Sequence, residues 1–244
     1  MRRTLKCVML DFGGTMMYLR KPFEEILNEG NLAVFEFVRE HGADVDFGEY
    51  TETGRRIFST FKSFEDAENR DIPDTEKYYA VASELFPDIT AAETKKISHT
   101  MSDLFWDIVS KYQLPSRGLA DVLEELRNGG KKLGIVSNHH NGASLRNWLS
   151  QENFDRFFDA VVVSSEVGFR KPDIRIFNFA LNRLGALPGE TLFVGDDIRN
   201  DITGARTAGM EAVLFCAKPA DSNGYESAAK EHAIKNFREL LDII

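Results

Sequence analysis

Apolar and polar positions follow two different periods along this chain. Leu5 to Leu10 is an apolar run that reads as a buried strand, and it stops at Asp11-Phe12-Gly13-Gly14-Thr15. Met16 to Pro22 is a connector without a clear period. Four segments then place apolar residues three and four apart: Phe23, Ile26, Leu27, Val34, Phe37 and Val38; Phe47, Tyr50, Ile57, Phe58 and Phe61; Tyr78, Tyr79, Ala82, Leu85 and Phe86; and Ile97, Met101, Leu104, Phe105, Ile108 and Tyr112. Each spacing predicts a helix with one apolar stripe, and four such helices predict a small bundle whose core holds these aromatics.

After a second connector, Gln113 to Gly118, strands and helices alternate. Lys132–Val136, Ala160–Ser164, Thr191–Val194 and Ala212–Cys216 read as strands. Leu119–Arg127, Ala143–Leu149, Asp173–Leu184 and Ile198–Ala208 read as helices, and a last helix starts near Asn236. Such alternation predicts a parallel sheet covered on both faces. The expected fold is therefore α/β: a doubly wound, Rossmann-like core from residues 1–18 and 113–244. A helical bundle of residues 19–112 is inserted after the first strand.

Composition adds exclusions. The 244 residues carry a formal net charge of −9, which argues against nucleic acid as a partner. No apolar run approaches the roughly 18 residues of a membrane span. Arg2 and Arg3 resemble a signal-peptide start, but Asp11 cuts the apolar run too early. Cys7 and Cys216 sit in strand-like runs, as small core residues of a reducing compartment do. A soluble, cytoplasmic protein is expected.

Candidate chemistry gathers at the predicted strand ends, where open parallel sheets bind ligands. Asp11 precedes two glycines that let backbone approach a ligand, although Asp-Gly-Gly is equally an ordinary turn. Ser137 and Asn138 offer short donors to an anion, and Lys171, fixed ahead of Pro172, offers a charge. Asp196, Asp197 and Asp201 repel one another unless a cation sits among them; hard oxygens at this density suit Mg²⁺. As helix-start acids they would also satisfy the helix dipole.

The order of these pieces, Asp, Ser, Lys, then an acidic loop, resembles the haloacid dehalogenase-like superfamily, in the branch with a helical cap after the first motif. The stretches Leu114-Pro115-Ser116-Arg117-Gly118, Arg170-Lys171-Pro172-Asp173 and Val194-Gly195-Asp196-Asp197-Ile198-Arg199-Asn200-Asp201 are similar to that branch. The resemblance implies a phosphatase acting on a small phosphorylated metabolite through an aspartyl phosphate. By it, Asp11 is the nucleophile. Phe12, Gly13, Ser137, Asn138 and Lys171 bind the phosphoryl oxygens, and Asp11, the Gly13 carbonyl, Asp196 and Asp197 or Asp201 hold Mg²⁺.

One position departs from the family pattern. A second Asp, the general acid and base, is usual where this chain has Gly13. Such a group is worth about 100- to 10,000-fold in rate. Dehalogenases and phosphonatases of the superfamily also lack it, and the latter use a cap lysine, for which Lys62 is the candidate. An inactive relative that binds phosphate or a partner is a further alternative. His139 or His140 offers a replacement proton carrier or simply faces solvent. Arg20 and Lys21, at the hinge, offer contacts to an anionic substrate tail or are linker charges.

Overall fold

The computed structural model describes residues 5–216 and 233–244; Arg2 and Arg3 lie outside them. Strand β1, Cys7–Leu10, is buried along its whole length because it runs down the middle of a six-stranded parallel sheet. Short strand β2, Met17–Leu19, follows, and then four helices: α1 Phe23–Glu40, α2 Phe47–Glu68, α3 Asp74–Leu85 and α4 Ala91–Ser110. Strand β3, Gln113–Pro115, returns antiparallel to β2, pairing Met17 with Pro115 and Leu19 with Gln113. The two connectors thus pair as a two-stranded ribbon, which is where the chain leaves and re-enters the sheet region.

The remaining elements alternate: α5 Leu119–Asn128, β4 Lys132–Ser137, α6 Gly142–Gln151, β5 Ala160–Val163, α7 Ser164–Val167, α8 Ile174–Leu184 and β6 Thr191–Gly195. A wide, π-type turn, Ile198–Thr203, then runs into α9, Gly204–Thr207, before β7, Glu211–Phe215, and β8, Ala233–Ile234. The last expected helix is a 3₁₀ segment, Phe237–Asp242, whose Asn236 side chain accepts from the N–H groups of Arg238 and Glu239.

Strand order in the sheet is β5-β4-β1-β6-β7-β8, so connections run outward from β1 in both directions. Ligands bind at such a switch point, outside the carboxyl ends of the strands. Alternation along β1 sorts the core. Val8 and Leu10 pack on one face with Phe12, Trp148 and Phe237, while Met9 packs on the other with Phe177 and Phe193.

The four inserted helices own a third core, including Ile26, Val34, Tyr78, Met101 and Phe105. Asp46 with Glu49, and Thr90 with Glu93, close reciprocal capping boxes at the starts of α2 and α4. Gly30 lets α1 approach α4: a Cβ there would stand 2.6 Å from the Phe105 ring. No described helix is long and apolar enough to cross a membrane. Cys7 and Cys216 are free thiols.

Candidate active site

Strand register brings the sequence candidates together. Leu10 pairs with Ile135 of β4 and with Val194 of β6, so the residues that follow these strands emerge side by side. Asp11 N–H donates to the Val194 carbonyl at 2.8 Å, which ties the start of the first loop to the acidic loop after β6. The Lys171 ammonium, 2 % exposed, stands 2.5 Å from Asp11 Oδ1 and 2.7 Å from Asp201 Oδ1. Thr15 Oγ1 lies 3.4 Å from Asp11 Oδ2 and from Asp196 Oδ1, bridging the two loops. Ser116 in turn holds the Thr15 carbonyl at 2.5 Å, so the ribbon end of the insert supports the same loop.

The two glycines differ. Gly14 has φ +82°, and a Cβ there would fall 2.2 Å from Asp196 Oδ2; only glycine fits against that carboxylate. Gly13 has no such φ, and a Cβ there would meet nothing within 4 Å.

Charge is out of balance at this point. Ligand oxygens of Asp11, Asp196 and Asp201 lie within 4.8 Å of one another, three carboxylates against one ammonium. Burial, with the like charges of Asp201 and Asp196 added, pushes the Asp11 carboxyl up to about 7 despite the opposing pull of Lys171. Burial and Asp201 push Asp196 up to about 6. Burial works against the Lys171 ammonium, but Asp11 and Asp201 outweigh it and hold its pKa above the ordinary lysine value. Asp201 Oδ1 is buried against Lys171 Nζ at 2.7 Å and shares that one ammonium with Asp11. A surplus of hard, under-satisfied oxygens fits a divalent cation.

Several candidates take other roles. Asp197 caps the helix start, accepting from Asn200 N–H at 2.7 Å, and lies outside the three-carboxylate group. Asn138 lines the cavity, but both ends of its amide bind the backbone of Lys171: Oδ1 accepts from Lys171 N–H at 2.8 Å and Nδ2 donates to Lys171 O at 3.0 Å. The Phe12 side chain packs in the core, edge-on to Trp148 at 5.0 Å, which leaves only its backbone near the loop. Ser137 ends β4, buried, on the cavity wall.

The proposed replacements for a general acid fare differently from expectation. His139 lines the cavity, but its Nδ1 accepts from Asn141 N–H at 3.1 Å. Burial and the neighbouring His140 push its pKa down to about 3, so the ring stays neutral. His140 points instead at the inserted helices, with Nδ1 3.2 Å from Lys77 Nζ and 3.7 Å from Asp71 Oδ1. Lys62 sits on the exposed face of α2, paired with Asp66 at 3.0 Å, away from the cavity. Lys21 is paired with Glu29 at 2.9 Å, and both Arg20 and Lys21 lie over the Tyr112 ring.

These groups face a cavity of about 350 Å³. Its far wall includes Phe23 and Trp106, aromatics of helices whose sequence pattern reads simply as bundle core. Phe23 belongs to the first apolar stripe as a core residue would, and Trp106 lies outside the fourth stripe with no sequence signal that it faces a ligand. Thr15 had a visible signal, a hydroxyl closing the Asp-x-Gly-Gly loop, yet its bridging role needs the β1–β6 register.

Residues 53–215 match a model of the family described as haloacid dehalogenase-like hydrolase. The chain is similar to a glyceraldehyde 3-phosphate phosphatase of Methanothermobacter thermautotrophicus, 38 % identical over 124 residues, covering 50 % of this chain and 51 % of that one. The matched stretch therefore spans about half the length of that relative. A ribulose-1,5-bisphosphate 5-phosphatase of Halopiger xanaduensis is 27 % identical across 97 % of this chain and 98 % of its own. A 2-haloacid dehalogenase from Pseudomonas syringae shares the fold, with a TM-score of 0.73 at 19 % identity over 98 % of both chains. A phosphatase structure from Thermococcus onnurineus has a TM-score of 0.62 at 25 % identity, over 98 % of this chain and 97 % of that one.

Proposed function

Since the chain belongs to the haloacid dehalogenase-like hydrolases, we propose that it hydrolyses the phosphate ester of a small metabolite, with Asp11 as nucleophile. The observation that carries this reading is the meeting of Asp11, Asp196 and Asp201 on a single ammonium, Lys171. Attack on carbon needs no such acidic group. Transfer of a phosphoryl group from one oxygen to another does, because carboxylate and phosphate repel each other until positive charge intervenes.

In this reading Asp11 attacks phosphorus and the leaving oxygen departs with the electron pair of its bond. Water then attacks the aspartyl phosphate, releasing inorganic phosphate and restoring the carboxylate. Lys171 and Ser137 hold the transferring oxygens, and Asn138 fixes Lys171 from behind. Mg²⁺, when bound, supplies the charge that lets the two anions meet. Asp11, the Gly13 carbonyl, Asp196 and Asp201 would hold it; Asp197 is engaged as a helix cap. The reading also implies that the four-helix insert acts as a cap over the site. The test is release of inorganic phosphate from a panel of monophosphates with and without Mg²⁺. Metal-dependent release supports the reading; its absence on every substrate contradicts it.

A further inference from the structure

The cavity over Asp11 has two walls of different chemistry. Asp11, Lys171, Asp196, Asp197 and Asp201 all belong to the strand-end side. The opposite wall, from the ribbon and helices α1 and α4, consists of Met17, Leu19, Phe23, Trp106, Val109 and Gln113. Among the described residues this wall carries no charged side chain. Of the basic residues closest in sequence, Lys21 pairs with Glu29, Arg20 lies over Tyr112, and Lys111 is exposed and outside the cavity lining. Trp106 donates its only N–H to Asp74 at 2.8 Å, so its ring atoms are what remain for a ligand. That indole lies against the His139 ring, centroids 4.3 Å apart. Phe23, at the first position of α1, is 51 % exposed although it lines the cavity, an apolar ring held in water.

A second observation concerns the leaving oxygen. Gly13 offers no acid, and His139, whose Nδ1 accepts from Asn141 N–H, is a neutral ring whose remaining Nε2–H is too weak an acid to protonate a leaving oxygen. An oxygen expelled without a proton must be a weak base. Phenol oxygens are weaker bases than those of sugars and alkyl alcohols, and flat aromatic rings suit a wall built from Trp106 and Phe23.

Resting on the phosphatase reading, we infer that the substrate is the monophosphate of an uncharged, flat, apolar alcohol of phenol type, held between the Trp106–Phe23 wall and the strand ends. Asp11 takes the phosphoryl group, the phenolate leaves with the bonding pair, and it acquires its proton from water. A second phosphate or a carboxylate on the alcohol would meet no counter-ion on this wall, where the only polar side chain is Gln113, whose buried Oε1 lacks a donor and would repel an anion.

The experiment compares phenyl phosphate with 4-carboxyphenyl phosphate and ribulose 1,5-bisphosphate on the full chain with Mg²⁺. Binding of phenylphosphonate and methylphosphonate is measured alongside by calorimetry, which needs no turnover. Phenyl phosphate should exceed both charged substrates by about tenfold or more in kcat/KM, and phenylphosphonate should bind more tightly than methylphosphonate. Phe23→Lys, at an exposed position, should narrow the gap between phenyl and 4-carboxyphenyl phosphate, mainly through KM. Equal or better turnover of the charged substrates, or equal binding of the two phosphonates, overturns the inference and leaves the phosphatase reading intact. No phosphate release from any substrate overturns both.

Discussion

Asn138 grips the backbone of Lys171 at both its polar groups, accepting from the N–H at 2.8 Å and donating to the carbonyl at 3.0 Å. The ammonium that meets Asp11 is thereby fixed from the end of β4, across two loops. Asn138→Ala removes both bonds and leaves a partly buried N–H and carbonyl to find water. Each such loss costs about 1–3 kcal/mol where the group stays unpaired. The expected outcome is a lower melting temperature and a loss of about tenfold or more in kcat/KM, borne mostly by kcat, as misplacement of a charged group predicts. Thermal melts with steady-state kinetics check this. Unchanged kinetics would mean that Lys171 is placed by its ion pairs alone.

Gly14 and Gly13 are adjacent and should respond in opposite ways. A methyl at Gly14 is strained by the positive φ and collides with Asp196 Oδ2, so Gly14→Ala should lose about 1 kcal/mol or more and weaken Mg²⁺ binding. Gly13→Ala should fold and melt like wild type. Denaturant unfolding and metal titration of both variants decide the matter; equal effects would contradict the loop geometry.

Gly13→Asp follows from the same geometry. Space for the side chain exists, and the variant would restore a carboxyl at the place where the family's acid stands. Turnover of alkyl phosphates should rise more than that of aryl phosphates, by up to about 100- to 10,000-fold. The check is a plot of log rate against leaving-group pKa for both proteins. Equal slopes would mean that another residue already delivers the proton.

The raised pKa values of Asp11 and Asp196 set a pH dependence for the metal-free protein. A folded-state pKa of about 7 or 6, against an ordinary carboxyl value of 3.8, means that the folded state holds more protons across that range. Stability from these groups is fully present below about pH 4 and is lost as pH rises through 6 and 7. With EDTA the melting temperature should therefore fall between pH 5 and pH 8. Mg²⁺ should restore most of the loss at pH 8, since it binds the deprotonated folded form. Asp11→Asn should flatten the EDTA profile. A melting temperature independent of pH and of Mg²⁺ would contradict the charge imbalance.

How much of this was legible in the sequence depends on range. The central strand, the four stripes of the insert and the acidic loop are local patterns, and Asp11, Lys171, Asp196 and Asp201 follow from their order. The β2–β3 ribbon was not legible, because three-residue strands have no period and Met17 meets Pro115 only across the whole insert. Asn138 reads as a loop donor in sequence, and its grip on Lys171 depends on where β4 and β5 end side by side. His139 looks like an exposed loop histidine until Trp106 of α4 is packed on it. Asp197 and Asp201 are indistinguishable as letters. The helix start separates them, giving one to a cap and the other to Lys171.

As nucleophile, Asp11 would carry the phosphoryl group as an aspartyl phosphate during turnover. Acid quenching of the enzyme during turnover of a ³²P-labelled aryl phosphate with Mg²⁺, followed by peptide mapping, tests it most directly. Acid-stable, hydroxylamine-labile label is expected on the peptide containing Asp11, and none in Asp11→Asn. Rapid phosphate release by wild type with no label on that peptide, or wild-type turnover by Asp11→Asn, would contradict it.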